Sequence, residues 1–175
     1  MANREALRQL QNRLAERLQL ARSETRPLSW LAVECAGVGF LVPLPSAGEI
    51  FPAGTLLPVP HTQPWFLGVA NLRGGLHGVV DLAAFLGLRP PLGREAVREQ
   101  ARLLAFNPRL GSQAAVLVDR LAGLRSNNQL TAEPPDDTPR PAFATTRWRD
   151  AEGRSWQEFD LAALARNEQF LAISA

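Results

Sequence analysis

Apolar positions recur at helical spacing in the first stretch of the chain. In NREALRQLQNRLAERLQLARSE, Leu7, Leu10, Leu14, Leu18 and Ala21 share one stripe, with arginines and glutamates around the rest of the wheel. Asn3 is placed to cap this helix and Pro27 to end it, because the residue before a proline disfavours helical angles. The stripe reads as the inner face of a helix packed on its own domain or as a docking face for a partner. From Trp30 the rhythm changes to period two. WLAVECAGVGFLVPL has short runs of Val, Leu and Phe around AGVG and predicts a hairpin.

FPAGTLLPVPHTQPW follows, whose prolines and glycine predict an extended, turning connection. FLGVANL and LHGVVDL are predicted strands joined by a Gly74-Gly75 turn, with Leu72, Leu76 and Val80 filling the interior. Asp81 then stands where a helix N-cap belongs and Gly87 where a left-handed C-cap belongs, so LAAFL predicts a short helix. ARLLAFNPRLGSQAAVLVDRLAGL reads as two apolar runs around a turn, and PPDDTPRP as a surface loop. TTRWRDAEGRSWQEFDLAALA repeats an earlier order of strand, turn, strand and aspartate-led helix. DLAAFL begins at Asp81 and DLAALA at Asp160, an offset of 160 − 81 = 79 residues in a chain of 175. That spacing predicts two related β-rich lobes, each ended by a capped helix. The tail RNEQFLAISA is expected to continue the helix and return as a strand.

Composition sharpens this picture. At 46% hydrophobic and 21% charged residues the chain is globular rather than disordered. No apolar run approaches the ~18 residues that span a bilayer, and MANREALRQLQNRL carries charges where a secretory signal would be greasy. Cytoplasmic residence is the expectation, with no direct membrane insertion. The pI of 9.8 raises the prospect of nucleic-acid binding. However, residues 1–28 carry six Arg and three Glu, and the remainder thirteen Arg and fourteen acids. A nearly neutral body lacks the broad basic footprint of a phosphate-backbone binder. A nucleic-acid module using the Arg-rich N-terminal helix is therefore the alternative, not the leading reading.

The chemical inventory is thin. Cys35 is the single cysteine and is expected to be a small buried residue; there are two histidines, His61 and His77. A Cys35–His77 pair would be the one conceivable nucleophile, and nothing in the spacing brings the two together. The serines show no nucleophile elbow, GGLHG lacks the spacing and lysine of a phosphate loop, and no metal-ligand spacing occurs. No enzyme, no cofactor and no metal are expected. Arg73 stands apart. Strand alternation puts Asn71 and Arg73 on one face as neighbours at a strand end, where a guanidinium fork suits a carboxylate or backbone carbonyls. An internal salt bridge or an idle surface charge would explain it equally.

GVANLRGGLHGVVDLAAFLGL resembles the Gly-Val-x-Asn-Leu-Arg-Gly and Val-x-Asp-Leu signature of the CheW-like family of chemotaxis coupling proteins. The likeness extends upstream through PSAGEIFPAGTLLPVPHTQPWFLGV and downstream to AVLVDRLAGL and FDLAALA, covering about residues 28–172. The extra N-terminal amphipathic helix (1–27) and the NEQFLAI end are similar to the type IV pilus-associated PilI branch, which serves twitching motility. The resemblance implies a mainly β fold of two SH3-like five-stranded barrel lobes, here expected at about 40–90 and about 100–160 plus flanking strands. It implies a non-catalytic adaptor that couples the cytoplasmic tip of a methyl-accepting chemoreceptor to the regulatory domain of a CheA-type histidine kinase. It assigns Glu49, Asn71 and Arg73 to the receptor side; Gly68, Gly74, Asp81 and Asp119 match family positions read as structural, and Gly75, Gly87 and Asp160 keep the turn and capping roles read from the residues themselves. Two departures stand out: Gly78 replaces a frequent proline, and Ala114-Ala115 replace a usual glycine.

Overall fold

The computed structural model describes residues 28–92 and 99–175. The helix expected at 1–27 lies outside them. The described chain is built from strands in two sheets. β1 (Ser29–Cys35) and β2 (Val38–Pro43) form the first hairpin, and β3 (Ala47–Pro52) follows. β4 (Phe66–Leu72) and β5 (Gly75–Asp81) lead into α1 (Leu82–Phe85). Next come β6 (Arg102–Phe106), β7 (Ala114–Val118), β8 (Arg120–Ser126) and β9 (Leu130–Ala132). β10 (Ala144–Asp150), β11 (Ser155–Phe159), α2 (Leu161–Leu164) and α3 (Glu168–Leu171) complete the order. One sheet has six strands in the order β8-β1-β2-β11-β10-β9, and the other five in the order β3-β6-β7-β5-β4.

This is the expected two-lobed β fold, but the lobes are cut differently from the expected ranges. β6 and β7 belong with β3 to β5, while β1 and β2 join the C-terminal strands. The cause lies at Asp119. The apolar run AAVLVDRLAGL looks continuous, yet the chain leaves the five-stranded sheet at Val118 and enters the six-stranded one at Arg120. Asp119 donates its N–H to Glu34 C=O at 2.9 Å, which fixes the crossing. β3 escaped the pattern because it is an edge strand with no fully buried side chain, so it has no apolar alternation to show.

β1 buries every residue from Trp30 to Cys35 because both of its faces are covered. Trp30 and Ala32 point into the six-stranded lobe with Leu41 and Trp156, whereas Leu31, Val33 and Cys35 point into the core between the lobes. Leu72, Val79, Leu103 and Leu117 fill the five-stranded lobe. Each such side chain contributes about 1.5–3 kcal/mol relative to exposure. Leu72 and Val80 are interior as expected, but Leu76 is 57% exposed. It stands directly opposite exposed Asn71 on β4, on the outer face.

The internal repeat is structural. β5 pairs in parallel with β7, and β11 in parallel with β2. Asp81 donates its N–H to Trp65 C=O and Asp160 to Phe143 C=O, both at 2.8 Å. Each aspartate then caps its helix, Asp81 accepting from Ala84 N–H and Asp160 from Ala162 and Ala163 N–H. At the other end of α1, Gly87 (φ +69°) donates to Ala84 C=O and Leu88 to Ala83 C=O, a Schellman closure. The C-terminal segment inserts Phe170 between Phe85 and Phe106, at ring separations of 5.5 and 5.9 Å. Beyond it, Ile173 C=O accepts from Gln63 N–H at 2.7 Å, so the tail returns as a bridge on the proline-rich segment. That segment also crosses β4, where Leu57 and Val69 exchange two 2.8 Å backbone bonds. Gly68 (φ +129°) permits the crossing, since a Cβ there would lie 2.2 Å from Leu57 O.

Candidate functional site

The β4–β5 hairpin is closed by Leu72 and Gly75, leaving Arg73 and Gly74 as its two loop residues with φ of +48° and +81°. Positive φ at both positions is what a type I′ hairpin requires. The turn is therefore Arg73-Gly74, not Gly74-Gly75; Gly75 opens β5. Arg73 consequently does not continue the face of β4. Its neighbour in the turn is still Asn71, whose Oδ1 accepts from Gly74 N–H at 2.8 Å and holds the loop closed. A non-glycine residue in the left-handed region costs roughly 1–2 kcal/mol. Asn, Asp or Gly usually takes this place, so an arginine here is spent on something other than the turn.

Its partner is Glu49 on β3. Arg73 Nε lies 2.8 Å from Glu49 Oε2, with the side chains 76% and 50% exposed. β3 slips register against β6 between Ala47 and Ile50, the stretch that carries Glu49. The pair stands on the rim of a groove of about 460 Å³ whose floor is apolar, formed by Phe51, Leu72, Phe106 and Pro108. His77 lines the same groove and donates from Nδ1 to Gly75 C=O at 3.0 Å. Glu49, Asn71 and Arg73 are thus brought together, with Asn71 holding the turn and the other two presenting charge. The aromatic floor was not foreseen, because Phe51 opens the segment read as an extended connection and Phe106 ends an apolar run far from it in sequence.

A second, buried network ties the lobes to each other. Asp81 is fully buried and receives both terminal nitrogens of Arg89, at 2.7 and 2.9 Å. Arg89 also reaches Asp119 Oδ1 at 3.3 Å, and Asp119 Oδ2 accepts from Ala36 N–H at 2.7 Å. Ala36 is the left-handed residue (φ +50°) of the β1–β2 turn, so this bond holds a strained hairpin of one sheet against the crossing strand. Although burial opposes its charge, the two carboxylates raise the Arg89 pKa further. Arg89 went unnoticed in the sequence; the one signal was a lone arginine directly after the helix-closing Gly87-Leu88.

On the six-stranded lobe, Arg120 grips Glu34 at 2.6 and 2.7 Å and Arg154 reaches it at 2.6 Å. The Arg120 hydrogen bonds hold the Glu34 carboxyl below its usual range, against the opposing effect of burial. Arg154 also covers the Trp156 ring at 4.4 Å. Between the lobes, a groove of about 480 Å³ is lined by Val38, Leu86, Leu88, Phe143 and Trp156 among others.

The conceivable nucleophile dissolves in this geometry. Cys35 is wholly buried between the lobes, and burial, with the Asp119 carboxylate acting the same way, pushes its thiol up to about 12. His77 belongs to the Arg73 groove and is bonded to Gly75. Among the described residues no group of three or more His, Cys, Asp or Glu side chains could hold a metal, and no helix is long and apolar enough to cross a membrane.

What the described residues present is a two-lobed β module whose distinctive surface features are grooves and a charged hairpin tip, the anatomy of a binding protein. Residues 29–169 match the family model of the CheW-like domain, and the chain belongs to the CheW-like family. It is similar to Protein PilI of Pseudomonas aeruginosa, with 27% identity over 168 residues, 93% of this chain and 89% of that protein. A probable chemotaxis protein CheW of Rhizobium etli is 38% identical over 60 residues, 33% of this chain and 39% of that one. In structure it resembles the scaffolding protein TtCheW of Thermoanaerobacter tengcongensis, with a TM-score of 0.61, 20% identity, and coverage of 76% of this chain and 88% of that one. Against the family signature, Gly78 and Ala114 are direct cross-strand neighbours on β5 and β7. Gly78 donates its N–H to Gln113 C=O at 3.0 Å, a bond that a proline at this position could not make.

Proposed function

We propose that this chain is a non-catalytic cytoplasmic adaptor that couples a methyl-accepting chemoreceptor to a CheA-type histidine kinase, in a chemosensory system controlling type IV pilus twitching motility. Glu49, Asn71 and Arg73 form the receptor contact. The carrying observation is the exposed Arg73–Glu49 pair, 2.8 Å apart on a strained turn above an apolar groove. An ion pair that open to solvent adds little to folding. Charge on an apolar rim does suit a protein partner, because it fixes register while the floor supplies contact area. The similarity to PilI along 93% of the chain supports the pilus assignment. An adaptor must hold two partners at once, and the interlobe groove shares no lining residue with the Arg73 groove, which leaves room for separate contacts. The kinase regulatory domain docks through lobe surfaces away from Arg73.

The test is a co-sedimentation of the full chain with the cognate receptor cytoplasmic fragment and, separately, with the kinase regulatory domain. Both are retained by the wild-type chain. Arg73→Ala and Glu49→Ala lower receptor retention at least tenfold and leave kinase retention unchanged. Failure of the wild-type chain to retain either partner refutes the proposal.

A further inference from the structure

Three arginines converge on one face of the six-stranded lobe, and a β-bulge brings two of them there. Arg120 and Arg125 lie on β8 at an odd spacing, which in a regular strand would face them opposite ways. The ladder between β8 and β1 shifts, so that Gly123 pairs with Ala32 and Leu121 with Val33, leaving Ala122 as the extra residue. Gly123 takes the positive φ (+90°) beside it. Arg125 thereby stands opposite Trp30 and Arg120 opposite Glu34, two positions of β1 that share a face. Arg154, directly before β11, joins them by its bond to Glu34.

The cluster is held rigidly. Trp156 lies against the backbone of Gly39, where a Cβ would come within 2.6 Å of the ring, and the Arg154 and Arg125 guanidiniums lie 4.4 and 5.5 Å from the ring centre. Arg120 is locked on Glu34 through Nε and Nη2. Folding leaves part of this charge unused. Glu34 answers Arg120 and Arg154, but Asp150 is filled by Trp156 Nε1 and the N–H groups of Glu152 and Arg154, and Arg125 has no ion pair among the described residues. Arg120 Nη1 and Arg154 Nε and Nη2 likewise make no hydrogen bond among them, on side chains 53% and 37% exposed.

We infer that Arg120, Arg125 and Arg154 dock an acidic segment of a partner protein, whose carboxylates take these unused nitrogens. Guanidinium forks match carboxylates, and forks already fixed in place lose little freedom on binding. A run of phosphates fits less well, because Glu34 and Asp150 stand among the arginines and would repel it. None of the three lines the Arg73 groove, so the inference does not depend on the receptor reading.

Fluorescence anisotropy of the full chain with a dye-labelled peptide of alternating Glu and Ser, at low ionic strength, tests this. The wild-type chain binds the peptide. Arg120→Gln/Arg154→Gln and Arg125→Gln each weaken binding at least fivefold, whereas Arg109→Gln/Arg166→Gln, two exposed arginines elsewhere, changes it less than twofold. Arg125→Gln breaks no ion pair, so it reads the site even where the double variant folds poorly. No binding by the wild-type chain overturns the inference, as does binding that survives both patch variants. Equal weakening by the two double variants overturns it as well, since net charge alone would then carry the attraction. So does tighter binding of a single-stranded oligonucleotide that is lost in the same patch variants, which would make this a phosphate surface.

Discussion

Arg73, in the β4–β5 turn, and Glu49, on β3, meet at 2.8 Å although β3 and β4 are the two outer strands in the order of the five-stranded sheet. Both side chains remain largely in water, and such pairs contribute about 0–1 kcal/mol. The left-handed backbone at Arg73 costs roughly as much or more. Folding therefore gains nothing from arginine at this position, which is why the pair is read as a contact for a partner.

Arg73→Gly separates the two roles. Glycine accepts a φ of +48° without penalty, so the variant keeps its stability or gains up to about 1 kcal/mol. Receptor retention nevertheless falls to the level of Arg73→Ala. Urea denaturation alongside co-sedimentation measures both. A loss of more than about 2 kcal/mol in the glycine variant would make Arg73 a folding residue and remove the argument for its role at the surface.

Arg89 is expected to behave in the opposite way. Its removal leaves Asp81 buried, capping α1 but without its guanidinium partner. Breaking a buried pair from one side costs about 3–5 kcal/mol. Arg89→Met should lower the urea midpoint sharply, and adding Asp81→Asn should recover part of the loss, since the amide needs no counter-charge. Additive losses in the double variant would contradict the pairing.

These two arginines also mark where sequence reading succeeds and where it stops. The paired aspartate caps, the AGVG hairpin and the strand leading to Leu72 were readable because each depends on near neighbours: a side chain reaching a free N–H three residues on, or a turn closing on itself. Arg73 was visible as a charge beside glycines, but its place in the turn was assigned one residue late, because glycine rather than arginine is the usual occupant of a left-handed position. Arg89, Asp119 and Ala36 act across the lobes, and no local pattern announces such contacts. The lobe boundary failed for the same reason. Val118 and Arg120 lie in one apolar run but in different sheets, and only the backbone bond from Asp119 to Glu34 marks the crossing.

Cys35 should be inert in the folded protein. With its thiol pushed up to about 12 by burial and by Asp119, almost no thiolate exists at pH 8, and access is closed as well. Iodoacetamide at pH 8 is expected to leave the native chain unmodified over hours and to alkylate it within minutes in denaturing urea, as read by intact mass. Rapid native labelling would show that the interlobe core opens. Cys35→Ala should keep partner binding and lose stability by about 1 kcal/mol for the small volume removed.

Glu34 makes stability depend on acid. Its carboxyl titrates below the ordinary value of 4.5 because Arg120, and after it Arg154, bond the ionised form. The unfolded chain therefore takes up this proton before the folded one does. The resulting stabilisation is fully present above about pH 4.5 and is lost as the pH falls through the lower, folded value. Glu34→Gln keeps the shape but loses the charge-assisted bonds, so the variant is less stable than the wild-type chain at neutral pH. Urea unfolding of both proteins from pH 7 down to pH 3 should show a gap that is constant to about pH 4.5 and then narrows, because the wild-type carboxyl comes to resemble the amide. A gap that stayed constant down to pH 3 would mean that the Glu34 charge is not what the two arginines hold, leaving the packing of Arg154 on Trp156 as the contribution of that side chain.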